Sequence, residues 1–283
     1  MLNIIKELTP RAARKQLKTA YMLAKSELHY LECHLTDHCN LNCKGCTHFS
    51  NISSPEFADL GQYSSDMYRL AEIFSNIRII RLLGGEPLLH SDPSSFVRVA
   101  RESFPGARIR FVTNGILLPK ASPEFWEACR NTGTALDITL YPPFEKLAPS
   151  WEALCEREGV PVEIWSKNGT FSARMNCHGD SDKAEAFRLC RIDCDCPYLR
   201  RGRISTCAMS AHVELFNEKY GAQVTGDSGI DIYDPDVSAR KINKYLRTPI
   251  ETCRWCATSN RCFPWSSHKK NEPIQQSDWY AAV

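Results

Sequence analysis

Cys39-Asn40-Leu41-Asn42-Cys43-Lys44-Gly45-Cys46 follows the apolar stretch Tyr30–Leu35, and Gly84-Gly85-Glu86-Pro87 follows a second apolar stretch, Ile77–Leu83. Three thiols within eight residues cannot all pair in disulfides among themselves, because one is left over. They can close on one metal centre, and three protein ligands leave a further position open. Soft thiolates select zinc, copper(I) or iron–sulfur. A closed structural zinc site takes four ligands, commonly as paired Cys-x2-Cys elements. Here a single such element has its third cysteine upstream, and His38 or His48 could supply a fourth ligand. On the triplet alone zinc stays open, and iron–sulfur is the better match to three ligands.

Outward from this stretch, short apolar strands alternate with helical spacing. Strands are expected over Tyr30–Leu35, Ile77–Leu83, Arg108–Thr113, Ala135–Tyr141 and Val160–Trp165, and helices over Ser64–Ser75, Ser94–Ser103, Ser122–Asn131 and Pro149–Glu158. Ser and Pro start signals open several of the helices. The alternation predicts βα units around a parallel sheet. Five strands are too few to close an eight-stranded barrel, so an open, partial barrel is expected. The cysteine triplet then lies at the carboxyl ends of the strands, where active sites gather. After Asn168 the chain turns polar and cysteine-dense, with helical spacing over His212–Tyr220 and Val237–Leu246. The expected organisation is an N-terminal helical extension over 1–28, a βα domain over 29–175 and a small cysteine-rich domain over 176–283.

Composition narrows the function classes. Fourteen cysteines in 283 residues, with no export signal, point to metal or redox work in a reducing compartment, hence a cytoplasmic location. A net charge of +2 gives no argument for a nucleic-acid or membrane partner. No apolar run is long enough for a membrane helix. Pro10, Arg11, Arg14, Lys15 and Lys18 read as a short basic helix with a solvated face rather than a transit peptide. Cys129 and Cys155 stand alone in helical stretches and read as buried small hydrophobes. His90, His178 and His212 have no visible partner and read as structural.

The triplet behind the first strand, with Gly84-Gly85-Glu86-Pro87 behind the second and Phe111-Val112-Thr113-Asn114-Gly115 behind the third, resembles the radical S-adenosylmethionine (radical SAM) superfamily. The resemblance implies a partial (βα)6 barrel and a 4Fe–4S cluster on Cys39, Cys43 and Cys46, whose fourth iron is chelated by SAM. It assigns Gly84, Gly85, Glu86, Pro87, Asn114 and Thr139 to SAM. Glycines let backbone approach a ligand closely, and Glu86 or the adjacent carbonyls can accept from an ammonium group. Before the third cysteine the family usually has an aromatic residue that covers the adenine. This chain has Gly45, and His48 or Phe49 is the nearby replacement. A second pattern, Cys190, Gly202, Cys207 and Cys253-Arg254-Trp255-Cys256, resembles the SPASM and twitch extensions of that superfamily. Cys262 continues the SPASM spacing, but Ser266 stands where the next cysteine belongs. The shorter twitch form is therefore implied, with one auxiliary 4Fe–4S cluster on Cys190, Cys207, Cys253 and Cys256. Cys194, Cys196 and Cys262 are alternates, and a zinc ribbon is the competing reading of the same residues.

Strand alternation suggests lumen contacts. Asp137, Thr139 and Tyr141 share the polar face of their strand, and the same logic turns Arg110 and Glu163 inward. These three charges suit a small hydroxyl- or amine-rich substrate, unless Arg110 and Glu163 sit low in the barrel and pair with each other. The resemblance implies that SAM is cleaved to methionine and a 5′-deoxyadenosyl radical, which abstracts hydrogen. Twitch-domain relatives include an aminocyclitol alcohol dehydrogenase, so oxidation of a sugar- or cyclitol-like molecule is the leading expectation. A flavodoxin or ferredoxin would supply the electron. A peptide-modifying maturase is the alternative, against which no leader-binding domain is recognisable before residue 30. A non-catalytic zinc-binding module is the second alternative.

Overall fold

The computed structural model describes residues 26–165, 169–193, 196–269 and 271–281. The basic helix expected near the N-terminus, the extension over 1–28 up to residue 25, and Cys194 lie outside the described residues. Five parallel strands, β1 (Leu31–His34), β2 (Ile79–Leu83), β3 (Arg108–Thr113), β4 (Ala135–Thr139) and β5 (Val162–Trp165), are joined by four helices. These are α1 (Leu60–Ile73), α2 (Pro93–Ser103), α3 (Pro123–Thr132) and α4 (Ala148–Arg157). The helices start where local chemistry satisfies their first N–H groups. Asp59 accepts from Gln62 N, Asp92 from Ser95 N and Ser122 from Phe125 N, the last two with a proline at the first helical position.

The strands present two different faces. Ile80, Leu82, Ile109, Phe111, Leu136 and Ile138 are almost wholly buried and form the core with the helices. Arg81, Arg110, Asp137 and Glu163 alternate with them and face the lumen. A parallel sheet covered on both faces would read as continuous apolar runs; the charged inner face marks a partial barrel. No described helix is long and apolar enough to cross a membrane.

The sheet does not stop at β1. Next come β6 (Thr170–Met175), α5 (Lys183–Asp193), β7 (Tyr198–Arg200), β8 (Arg203–Ser205), α6 (Ala208–Tyr220), β9 (Ile230–Asp231), α7 (Ala239–Tyr245) and β10 (Cys256–Pro264). β7 pairs parallel with β1, and β8 and β9 add antiparallel, giving the order β9-β8-β7-β1-β2-β3-β4-β5. The β7–β8 hairpin turns through Arg201 at φ 50° and Gly202 at φ 72°, the two positive values that a two-residue type I′ loop requires. Asp66 of α1 anchors this turn, accepting from Gly202 N at 2.8 Å and from the Tyr233 hydroxyl at 2.7 Å. β6 pairs antiparallel with β10. A second, smaller core of Phe49, Met175, Val213, Phe216, Val224 and Trp279 joins the cysteine loop to the C-terminal elements.

Candidate active site

The glycines of Gly84-Gly85-Glu86 serve a backbone contact. Gly85 N donates to Thr36 O at 2.7 Å and Glu86 N to His38 O at 2.9 Å. A Cβ on Gly84 would lie 2.5 Å from Thr36 O, and one on Gly85 only 2.0 Å from His38 O. Their small size brings the end of β2 against the segment that opens the cysteine loop. The expectation that Glu86 faces a ligand is corrected. It is fully buried, and its carboxylate accepts from Thr113 Oγ1 at 2.7 Å, Asn114 N at 2.8 Å and Leu88 N at 3.1 Å. Burial pushes its pKa up to about 7 against these three donors. Pro87 is buried at the start of the 3-10 turn Pro87–Leu89 and likewise does not line the cavity. Glu86 acts on Asn114, whose amide Nδ2 donates to Asn40 Oδ1 at 2.6 Å and lies 3.9 Å from Cys39 Sγ.

Cys39, Cys43 and Cys46 are free thiols gathered at one cavity of about 230 Å³, which Gly84, Gly85, Asn114, Thr139 and Tyr141 also line. Burial pushes Cys39 and Cys46 above the ordinary thiol range and Cys43 up to about 12, and Cys46 adds to the other two by repulsion. Three such thiols ionise only when a cationic centre takes their protons' place. Donors are already aimed at them: Leu41 N at 3.4 Å from Cys39 Sγ, Trp265 Nε1 at 3.3 Å from Cys43 Sγ, and the backbone N–H groups of His48, Phe49 and Ser50 on Cys46. The donor set therefore fits an iron–sulfur cluster, whose sulfurs are tuned by such hydrogen bonds. Trp265→Phe removes one donor. The reduction potential of that cluster should then fall, measured by redox titration with electron paramagnetic resonance; an unchanged potential would remove Trp265 from the site.

Phe49 is corrected as a cover for the cavity. It is fully buried in the second core, at φ 56°, and this left-handed backbone turns its N–H toward Cys46. Of the two proposed replacements, His48 lines the cavity. Gly45 sits at φ +64°, and a Cβ there would lie 3.1 Å from Phe263 Cζ and 3.0 Å from Asp278 O. The space an aromatic residue at 45 would need is taken by the C-terminal segment. Tyr141, stacked on Trp265 at 5.1 Å, and Phe171 wall the cavity instead. Their signal was weak, since only Tyr141 lies on a recognisable inward strand position.

The lumen candidates lie lower, around a second cavity of about 530 Å³. They pair with one another: Arg110 Nε donates to Asp137 at 2.7 Å and its Nη2 to Glu163 at 2.6 Å. Arg81, unforeseen, extends this network to Asp137 at 3.3 Å and to the Tyr30 hydroxyl at 2.9 Å, which in turn donates to Glu32 at 2.7 Å. Arg81 and Thr139 line both cavities. Counting inward positions on Ile79–Leu83 would have found Arg81.

A second group of thiols gathers beyond α6. Burial raises Cys256 well above the thiol range, and the thiols of Cys207, Cys253 and Cys190 add to it. Cys190 is on α5, Cys207 precedes α6, Cys253 lies in the 3-10 turn Glu251–Trp255, and Cys256 opens β10. α5 packs on both the turn and β10, which explains the convergence. Cys262 is exposed on β10, 3.5 Å from Ser172 Oγ, and Cys196 is half-buried ahead of β7. Cys129 and Cys155 are fully buried core residues, as expected. His90 is structural as expected, its Nε2 lying 3.0 Å from Ala58 O.

Residues 34–162 match the model of the family described as Radical SAM superfamily. The chain is 26% identical over 170 residues to the GTP 3',8-cyclase of Aliarcobacter butzleri, covering 57% of this chain and 51% of that protein. It is 32% identical over 133 residues to molybdenum cofactor biosynthesis protein 1 of Bos taurus, covering 46% and 20%. The chain thus spans about half, or less, of the length of these curated relatives. A crystal structure of BtrN in complex with AdoMet and 2-DOIA superposes with a TM-score of 0.52 at 17% identity, over 81% of this chain and 92% of that one. The likeness is one of fold.

Proposed function

We propose that this chain is a radical SAM enzyme, on the match of its residues 34–162 to that family's model, and that it abstracts hydrogen from a small polar molecule of the sugar or cyclitol kind and oxidises it. The family's cofactors are a 4Fe–4S cluster and SAM. When bound, they supply reductive cleavage of a sulfonium and a radical able to abstract hydrogen. Cys39, Cys43 and Cys46 would hold the cluster, and Gly84, Gly85, Asn114 and Thr139 would line the SAM site. Tyr141, Trp265 and Phe171 keep water from the cysteine cavity.

The observation that carries the substrate reading is the polar lumen beneath that cavity. Arg81 and Thr139 belong to both cavities, and Arg81 Nε is buried with no hydrogen-bond partner. A buried donor left unpaired is costly, so a hydroxyl- or amine-bearing ligand would gain from meeting it. Glu32, which lines the cysteine cavity together with Arg81, would accept from a hydroxyl or ammonium group. Cys190, Cys207, Cys253 and Cys256 are proposed to hold an auxiliary 4Fe–4S cluster within a twitch-like unit over 176–283. Four ligands leave such a cluster no vacant iron, which suits electron transfer over substrate ligation and favours net oxidation. A flavodoxin or ferredoxin is the proposed reductant. The curated relatives match only part of this chain, and this chain only part of them, so their names do not assign it a particular substrate.

The test is isotope transfer. Holoenzyme reconstituted without oxygen is incubated with SAM, a reductant and carbon-deuterated sugars, cyclitols or peptides. Deuterium should enter 5′-deoxyadenosine from a sugar or cyclitol. Transfer from peptides alone would replace this reading with a peptide maturase.

A further inference from the structure

His34 at the end of β1, Asp37 three residues on, and His212 of α6 converge beneath the loop that carries the cysteine triplet. They are only 7%, 3% and 0% exposed. One donor atom from each lies within 4.8 Å of the other two. His34 Nε2 touches Asp37 Oδ1, and His212 Nδ1 is 3.6 Å from that same oxygen. Neither ring nitrogen of His212 has a hydrogen-bond partner. A wholly buried imidazole with both nitrogens unpaired is uncommon, and at least one carries a free lone pair.

Groups behind the cluster are arranged as supports. His34 Nδ1 is bonded to the Tyr198 hydroxyl, and Asp37 Oδ2 accepts from Arg200 at 2.8 Å. These contacts hold the far atoms of His34 and Asp37 and leave His34 Nε2 on Asp37 Oδ1, the oxygen that faces His212 Nδ1. Metal-binding histidines and carboxylates are held in this way, the far atom of each fixed by an outer partner. His48 lies beside them, its ring 6.3 Å from His212 and 6.4 Å from His34, with a buried Nε2 that is also unpartnered. A cavity of about 220 Å³ lined by His34, Asp37, Arg200, Glu56 and Asp59 gives access.

We propose that His34, Asp37 and His212 bind one divalent first-row transition ion of the zinc type, distinct from any iron–sulfur cluster. Two imidazoles and one carboxylate, with no thiol, suit such an ion. Asp37 and His48 flank the cysteine triplet, and His212 lies on the helix that Cys207 precedes. The ion would therefore strut the cysteine loop against α6. Arg200 behind the carboxylate moderates its affinity.

The test uses the full-length holoenzyme, desalted and titrated with Co2+ while its iron content is monitored. One Co2+ per chain should bind with ligand-field absorption and no thiolate charge-transfer band. His212→Ala should abolish that absorption at unchanged iron content. Tyr198→Phe, which keeps the ring and removes only the outer hydroxyl, should weaken Co2+ roughly 10- to 100-fold. If His212→Ala does not fold, Tyr198→Phe decides. Equal Co2+ affinity in wild type and either folded variant overturns the proposal, as does wild-type absorption of thiolate character alone or none at all.

Discussion

Cys43→Ala should abolish reductive SAM cleavage and, with the two 4Fe–4S clusters proposed above, take the iron content from about eight to about four atoms per chain. The backbone at this position is held independently of the thiol. Cys43 bridges Ser267, and its carbonyl accepts from Asn51 Nδ2 at 2.9 Å. Lys44 N donates to Ser266 O at 3.0 Å. Alanine therefore leaves the loop in place and removes one of three ligands, together with the acceptor of the Trp265 indole. The remaining irons report on the second group of thiols, which sit on α5, just ahead of α6, in the turn Glu251–Trp255 and at the start of β10. Loss of all iron would point to unfolding, which circular dichroism distinguishes. Full iron with undiminished cleavage would mean that another side chain completes the cluster, and the assignment of the triplet would fail.

What could be read in advance divides by the range of the interaction. Strand Arg108–Thr113 was legible to the residue, because alternation is a local signal, and it also turned Arg110 and Asp137 to the correct face. Alternation says nothing about what stands opposite. Arg110, Asp137 and Glu163 satisfy each other across three strands, so their charges do not single out a substrate contact. The glycines at 84 and 85 were recognisable as a close approach, but the group approached, the carbonyls of Thr36 and His38, belongs to a distant segment. Glu86 was read outward because two of its three donors, Thr113 Oγ1 and Asn114 N, lie far along the chain. The pairing of β7 with β1, the Phe263 ring beside Gly45, and the convergence of His34 with His212 all join parts of the chain far apart in sequence. His212 was read as structural for that reason alone.

Gly85→Ala tests whether the β2 contact positions the cysteine triplet. An added Cβ would stand 2.0 Å from His38 O, 2.4 Å from His38 C and 2.9 Å from Cys39 N. All three are backbone atoms, so no rotamer change relieves the overlap. To reach ordinary van der Waals separation, the end of β2 and the segment that opens the cysteine loop must part by more than an ångström. That movement breaks the bonds from Gly85 N to Thr36 O and from Glu86 N to His38 O, and it carries Cys39 away from Cys43 and Cys46. Overpacking alone costs about 1–3 kcal/mol. A displacement of this size at reacting groups lowers rates on the order of 100-fold, so SAM cleavage should fall at least that far, with iron lost from the triplet first. Gly133→Ala is the matched control. Gly133 also ends an element, at φ +64°, but nothing lies within 4 Å of its added Cβ, so only the left-handed backbone cost of roughly 1–2 kcal/mol applies. Its melting temperature should drop while iron and cleavage stay at wild-type levels. If both variants behave alike, general destabilisation accounts for Gly85→Ala, and the backbone contact between β2 and the cysteine loop loses its place in the site.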